Sequence, residues 1–341
     1  MPTIVSRRSI VTCLISALLF APSVSCTTHR AGAADSRLVE LIPFELDRKN
    51  PERKEFGALT LLSAFELRSR DKRFGGISGL AIDPGGNLYA VSDAGYWVSA
   101  KMISAPDGRL LDLIDWRITP LLTPERKPVG GVLRDAEALS RAPDGGFVVA
   151  FEQAHRIWRY PPPPLTFQSP PVALPAPREI ARAPGNGGIE GITFLPDGQL
   201  LALTEEFQNA DGSFRGWLID NNRFAELSYL PSDGFRVTDC AGLKNGDVIV
   251  VERRYVPFGT LSARLKLIRG NTIQPAAKLA GEELMRLEPP LHVDNFEAVA
   301  IHEDPLQGTT IYIVSDDNYN LFQRTLLLQF RLAGVDTRAT D

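Results

Sequence analysis

One short pattern constrains this chain more than any other. The stretch "IEGITFLPDGQLLALTE" (189–205) reads as two strands around a tight turn, with a carboxylate near each end. Related stretches are "ISGLAIDPGGNLYAVSD" (77–93), "AEALSRAPDGGFVVAFE" (136–152), "CAGLKNGDVIVVE" (240–252) and "FEAVAIHEDPLQGTTIYIVSD" (296–316). Pro-Gly-Gly-Asn, Pro-Asp-Gly and Asn-Gly-Asp are turn sequences, because Gly and Asn accept positive φ. The runs "LYAVS", "FVVAF", "LLALT", "VIVV" and "TIYIVS" are too short for helices and suit strands buried on both faces.

The second positions of the units are Ser78, Glu137, Glu190, Ala241 and Glu297, separated by 59, 53, 51 and 56 residues. Bounded, irregular spacing of this kind marks repeated supersecondary units. Further strands follow each hairpin, such as "WVSAKMIS" and "LLDLIDW" after the first. Four strands per unit of about fifty residues is a propeller blade. The fold class is therefore all-β, a β-propeller of five to six blades. The N-terminal strand "LTLLSAFELR" (59–68) and the C-terminal strand "TLLLQFRL" (325–332) would pair to close the ring and remove exposed edges. The best short helix candidate is "GEELMRL" (281–287). The stretch "YPPPPLTFQSPPVALPAPR" (160–178) reads as a stiff surface loop, too rich in proline for regular structure.

The segments expected are an export signal over 1–33, a linker over 34–55, the propeller over 56–334 and a tail over 335–341. Arg7 and Arg8 precede an apolar run from Ile10 to Pro22 that is short for a membrane span. This resembles a twin-arginine signal, with an ordinary secretory signal as the alternative. Cleavage fits after Ala33, or before Cys26 as a lipid-anchor site. Cutting after Ala33 removes three arginines and no acid, taking the formal charge from -4 to -7. A periplasmic or secreted monomer follows, with no transmembrane helix in the mature chain. With no basic run, nucleic acid is not an expected partner. Only Cys240 remains in the body of the chain, so no disulfide framework supports the fold.

Antiparallel strands bring the early and late acids of each hairpin to one rim of the channel. The candidate cation ligands are Asp93, Glu137, Glu152, Glu190, Glu205, Glu252, Asn295, Glu297, Asp316 and Asn318. Crowded carboxylates repel and need compensation. A hard divalent cation such as Ca²⁺ would supply it, and so would Arg134, Arg253, Arg254 or Arg324. Local pairing of each acid within its own blade is the alternative. Glu190, Glu297, Arg253 and Arg324 are the candidate catalytic residues, the arginines holding an anion. Gly76-Ile77-Ser78-Gly79-Leu80 lacks the last glycine of a nucleophile elbow, and Ser78 reads as a small strand residue. His292 reads as a packed loop histidine near Asp294.

The five motifs, in their order, resemble the esterase-like, phytase-like propeller proteins of bacteria. The last is the most specific, with Asn295-Phe296-Glu297, Ser315-Asp316-Asp317-Asn318 and Gln323-Arg324-Thr325. The chain departs from the pattern in having Ala138 and Ala298 where glycine is frequent. The resemblance implies a propeller, export and hydrolysis of an ester or phosphate ester, with acid-bound calcium in related propeller phytases. A non-catalytic ligand- or protein-binding propeller of the cell envelope and a lactonase-like hydrolase are the competing functions.

Overall fold

The computed structural model describes residues 38–256 and 261–332. The expected export signal, the Cys26 anchor and the tail over 335–341 lie outside the described residues. Within them the chain forms five sheets arranged as blades, which settles the blade number at five. The sheets are antiparallel except where Lys278–Leu279 pairs parallel to Arg223–Tyr229. No helix among them is long and apolar enough to cross a membrane.

The innermost strands are Ile77–Ile82, Ala136–Arg141, Ile189–Phe194, Arg236–Gly242 and Asn295–Asp304. Each packs on the next, and the fifth packs on the first, so the ring closes. The second strands are Asn87–Ser92, Phe147–Phe151, Leu200–Gln208, Val248–Tyr255 and Gly308–Asp316. Phe147–Phe151 is buried at every residue, as expected of a strand covered on both faces. Five apolar layers hold the ring, one between each pair of neighbouring blades. The layer between blades one and two packs Trp97 edge-on against Tyr160, with ring centroids 5.2 Å apart.

The ring is closed by both ends of the described chain. Thr325–Leu332 pairs antiparallel with Leu59–Ser69, Thr325 opposite Leu67 and Leu332 opposite Leu59. At this seam Gln329 is fully satisfied. Its Oε1 accepts from the Ser63 hydroxyl and the Leu110 amide, and its Nε2 donates to Gly108 and Tyr312. The fifth blade also extends outward. Val39–Pro43, in the expected linker, pairs with Leu59–Ser69.

Two local expectations are corrected. Residues 281–287 are not helical: Glu282–Leu287 is the outer strand of blade four, paired with Leu261–Ile268. Burial of Leu284, Met285 and Leu287 against that blade outweighs the helical propensity of the segment. The proline-rich stretch supplies regular structure as well. Val172–Leu174 is the edge strand of blade two, a position where flanking prolines cost no ladder bonds.

The fourth hairpin is longer than its sequence suggested. Its strands run through Arg236–Gly242 and Val248–Tyr255, and its turn matches that of blade three. Gly198 and Gly246 hold the same turn position, with φ of 86° and 90°. Counting back from Gly246 makes Thr238, not Ala241, the counterpart of Glu190.

Candidate functional site

Every innermost strand carries a bulge at the same place. The pairing register shifts across Ser78, Glu137, Glu190, Thr238 and Glu297. A bulge re-aims the extra residue without ending the sheet. Blades one and four carry hydroxyls there: Ser78 donates to the Ala136 carbonyl and Thr238 to the Phe296 carbonyl, each tying its blade to the next. Blades two, three and five carry glutamates, and these line a cavity of about 180 Å³ at the channel mouth.

Residues in the last part of the second strands, or just after them, complete the ring. Asp93, Glu152, Glu205, Arg253 and Asp316 all line the same cavity. Asp135, Asn186 and Asn318 join them from loops. Eight carboxylates therefore surround one arginine: Asp93, Asp135, Glu137, Glu152, Glu190, Glu205, Glu297 and Asp316.

That arginine compensates one side only. Arg253 donates through Nη2 to Glu205 at 3.1 Å and through Nη1 to Glu297 and to the Asn295 side chain. Asn295 also donates to Glu297 at 2.8 Å, holding the pair in place. Across the cavity, Asp93, Asp135, Glu137, Glu152, Glu190 and Asp316 make no ion pair among the described residues. Glu152 is capped by two backbone amides, Gly187 at 2.8 Å and Gly188. One carboxylate oxygen of Asp93 is buried with no partner. Glu190 is 6% exposed and accepts no hydrogen bond among the described residues.

Burial and mutual repulsion raise the proton affinity of this uncompensated side. Burial, then Asp135 and Glu297, push Asp93 up to about 6. Burial pushes Glu152 up to about 7, against the pull of the two glycine amides. Glu137 and Glu190 are pushed well above the usual carboxylate range by burial first and neighbouring carboxylates second. Burial and Glu297 push Asp316 up to about 9. Asp135, Glu137 and Glu152 each offer an oxygen, and these oxygens lie within 4.8 Å of one another. All are hard oxygen donors, the set a divalent cation of the Ca²⁺ or Mg²⁺ type takes. The cluster could hold such an ion, and its positive charge would relieve the repulsion that Arg253 leaves.

A loop from blade five covers part of the mouth. Asn318 and Tyr319 both have positive φ, 46° and 49°. Asp316 accepts the Asn318 amide at 2.7 Å and Asp317 the Tyr319 amide at 3.0 Å, which holds this uncommon backbone. Asp317 also accepts the Gly76 amide at 3.0 Å and so joins blade five to blade one. A second cavity of about 880 Å³ adjoins the ring and shares Glu205, Arg253 and Asn318 with it.

Most of the expected residues line the ring and three do not: Asn295 stands behind it, its side chain engaged by Arg253 and Glu297 rather than offered to a cation, and Glu252 and Arg324 lie elsewhere. Glu252 is fully buried on the opposite face of its strand. There it accepts from the Tyr229 hydroxyl at 3.0 Å and pairs with Arg264. Its neighbour Arg253 takes the ring position, because adjacent strand residues face opposite ways. Arg324 lies at the closing seam, 3.8 Å from Asp294 and 4.0 Å from Glu66, and does not line the ring cavity. His292 is packed edge-on against Phe44, with Arg324 3.2 Å from its Nδ1. Asp239 is a tie between blades, accepting the Cys240 and Val299 amides. Asp135 and Asn186 join the ring without being among the expected residues: the sequence signal of Asp135 is its place just before the first strand of blade two, and that of Asn186 its place in the turn before Ile189.

Comparison with known proteins gives one strong match. The family model for phytase-like proteins, described as esterase-like activity of phytase, matches residues 72–319. No curated protein matches. Solved structures resemble the chain at low identity. A pyrroloquinoline-quinone-bound aldose sugar dehydrogenase from Streptomyces coelicolor is 16% identical with a TM-score of 0.41, covering 79% of this chain and 98% of its own. A candidate gluconolactonase is 13% identical with a TM-score of 0.42, covering 86% and 89%. A virginiamycin B lyase from Staphylococcus aureus is 12% identical with a TM-score of 0.39, covering 86% and 99%. These values carry no argument about chemistry, and the propeller assignment stands on the sheet topology.

Proposed function

This chain belongs to the phytase-like family described by the esterase-like activity of phytase, and on that premise we propose that it is a hydrolase of ester bonds working at the carboxylate ring with a divalent cation, Ca²⁺ first among the candidates. The observation that carries this reading is the one-sided compensation of the ring. Eight carboxylates share a small cavity with a single arginine, and six of them have no cationic partner among the described residues.

Asp135, Glu137 and Glu152 would hold the cation, with Asp93 presenting its unpartnered oxygen beside them. A cation bound there supplies Lewis-acid polarisation of the ester oxygen and lowers the pKa of a coordinated water. Glu190, buried and without a hydrogen-bond partner, takes the proton of the attacking water and returns it to the leaving oxygen. Arg253 lines both cavities, so its charge stands at the passage between them. Its Nη atoms are already engaged by Glu205, Glu297 and Asn295, so it acts by holding that side of the ring in place.

The twin-arginine-like start supports export to the periplasm or beyond, with Cys26 as the site of a lipid anchor if cleavage falls there. The direct test is a panel of carboxylate esters, lactones and phosphate esters, assayed with chelator-stripped protein and added Ca²⁺, Mg²⁺, Mn²⁺ or Zn²⁺. Cation-dependent turnover of an ester is expected. Absence of turnover across the panel would leave the non-catalytic binding propeller as the reading, and turnover confined to lactones the lactonase.

A further inference from the structure

We propose that the cleft beside the ring selects a neutral, polyhydroxylated carboxylic ester, a sugar or polyol ester, rather than a densely phosphorylated substrate. This rests on the hydrolase reading above and narrows its substrate class.

The larger cavity is the only one that opens onto the ring through shared residues among the described cavities, and at about 880 Å³ it suits a ligand of one or two rings. Its polar wall sets four amides, Asn295, Asn318, Asn320 and Gln323, among two acids and two paired arginines. The side chains of Asn318 and Gln323 make no hydrogen bond among the described residues. Asn320 uses only its Oδ1, accepting the Phe322 amide at 3.1 Å. An amide offers donor and acceptor together, which is what a hydroxyl needs.

The same cavity carries two exposed aromatic faces. Tyr255 is 71% exposed and Phe322 93% exposed. Large aromatics held in water at the rim of a cleft mark a contact surface. The C–H faces of a sugar ring pack on such side chains while its hydroxyls meet the amides.

Among the described residues the cleft has no unpaired positive charge. Arg236 pairs with Glu206, Arg253 with Glu205 and Glu297, and no lysine lines it. Glu205 and Asp294 add negative charge to its wall. Recognition of several phosphates takes unpaired arginines or lysines in matching number. A polyphosphate would find one cation at the ring and, for its remaining phosphates, only paired arginines and the acids Glu205 and Asp294.

The reaction is a hydrolysis with no redox change. The water oxygen bonds to the acyl carbon, the acyl–oxygen bond to the sugar breaks, and a proton from water ends on the sugar hydroxyl. The carboxylic acid product loses its own proton to solvent.

Two measurements test this with Ca²⁺ present. The first is saturation-transfer NMR with methyl glucoside, which reads binding without turnover. The second is kinetics with a 6-O-acetylated methyl glucoside beside inositol hexakisphosphate. Methyl glucoside is expected to bind, and the acetylated glucoside to be hydrolysed. Tyr255→Ala and Phe322→Ala should each raise its KM at least five-fold. Both side chains are exposed, so neither change threatens folding. Leu306→Ala, at a 95% exposed position away from the cleft, is the neutral control. Faster turnover of inositol hexakisphosphate than of the sugar ester would overturn the proposal, as would changes in KM below two-fold in both variants. Binding of methyl glucoside that is lost in Tyr255→Ala, with no ester of any kind hydrolysed, would uphold the sugar site and reject the hydrolase.

Discussion

Arg253→Met removes the one cation of the ring while keeping most of the side-chain volume. Arg253 Nη2 stands 3.1 Å from Glu205, and Nη1 contacts Glu297. At an effective dielectric of about 20, one unit-charge pair at this distance is worth roughly 5 kcal/mol. Releasing the arginine from partial burial offsets some of that, and the net loss at pH 8 in chelator should be about 3 kcal/mol. For a domain of this size, with an unfolding entropy of about 0.6 kcal/mol/K, that is roughly 5 °C in Tm. The loss depends on pH, and its sign follows from Glu297. Burial pushes the Glu297 carboxyl up, and Arg253 pulls it back down. Without the arginine the folded pKa rises further above the unfolded value. Between those two values the native state holds a proton that the unfolded state has released, so stability of the variant falls as pH rises. The deficit against wild type should therefore shrink to about 1 kcal/mol by pH 5, where protonation replaces the lost cation. Urea melts from pH 5 to pH 9 read this directly. Adding Glu297→Gln to Arg253→Met should recover at least half of the loss at pH 8. A deficit that does not vary with pH, or one below about 1 kcal/mol at pH 8, would refute the reasoning.

The metal-free wild type carries the same sign. Asp93 and Glu152 are raised to about 6 and about 7, so each costs stability as pH rises from the unfolded carboxylate value through those points. Thermal melts in chelator should show lower Tm at pH 8 than at pH 5, and added Ca²⁺ should reverse the order, because cation binding displaces those protons. Glu190→Gln should lower kcat by roughly 10²–10⁴ on any ester that is turned over. Calcium titration of the same variant should still register bound ion. Glu252→Gln should leave cation binding intact yet destabilise by about 3 kcal/mol, because Arg264 at 2% exposure loses its closest carboxylate. Gly246→Ala and Gly198→Ala should each cost about 1 kcal/mol by urea melts, since both turns need positive φ.

The propeller was legible because its blades repeat a turn and a doubly buried strand. Those two signals, Pro-Asp-Gly and runs like "FVVAF", survive without any alignment. The closing seam was legible too, since the apolar stretch Thr325–Leu332 has no fourth strand after it and Leu59–Ser69 has none of the repeated hairpins before it. The site was partly legible. Asp93, Glu137, Glu152, Glu190, Glu205, Glu297 and Asp316 converge because position in the repeat fixes position on the rim. Glu252 misleads because it ends its apolar run as the ring acids do, yet stands one place short of the register set by the glycine turn. One residue of register sends a strand side chain to the other face. Counting from Gly246 as from Gly198 puts Arg253 level with Glu205. Arg324 failed for another reason: it follows a loop rather than a strand, and nothing in sequence fixes where a loop returns. Asn186 was hidden in the same way.

The central claim is that the uncompensated side of the ring holds a divalent cation. Isothermal titration of chelator-stripped protein with Ca²⁺ tests it most directly, comparing wild type with Glu137→Gln and Glu252→Gln. The account predicts one ion per chain in wild type, affinity weakened at least ten-fold in Glu137→Gln, and wild-type affinity in Glu252→Gln. No saturable binding of Ca²⁺, Mg²⁺ or Mn²⁺ in wild type, or equal binding in Glu137→Gln, would contradict it.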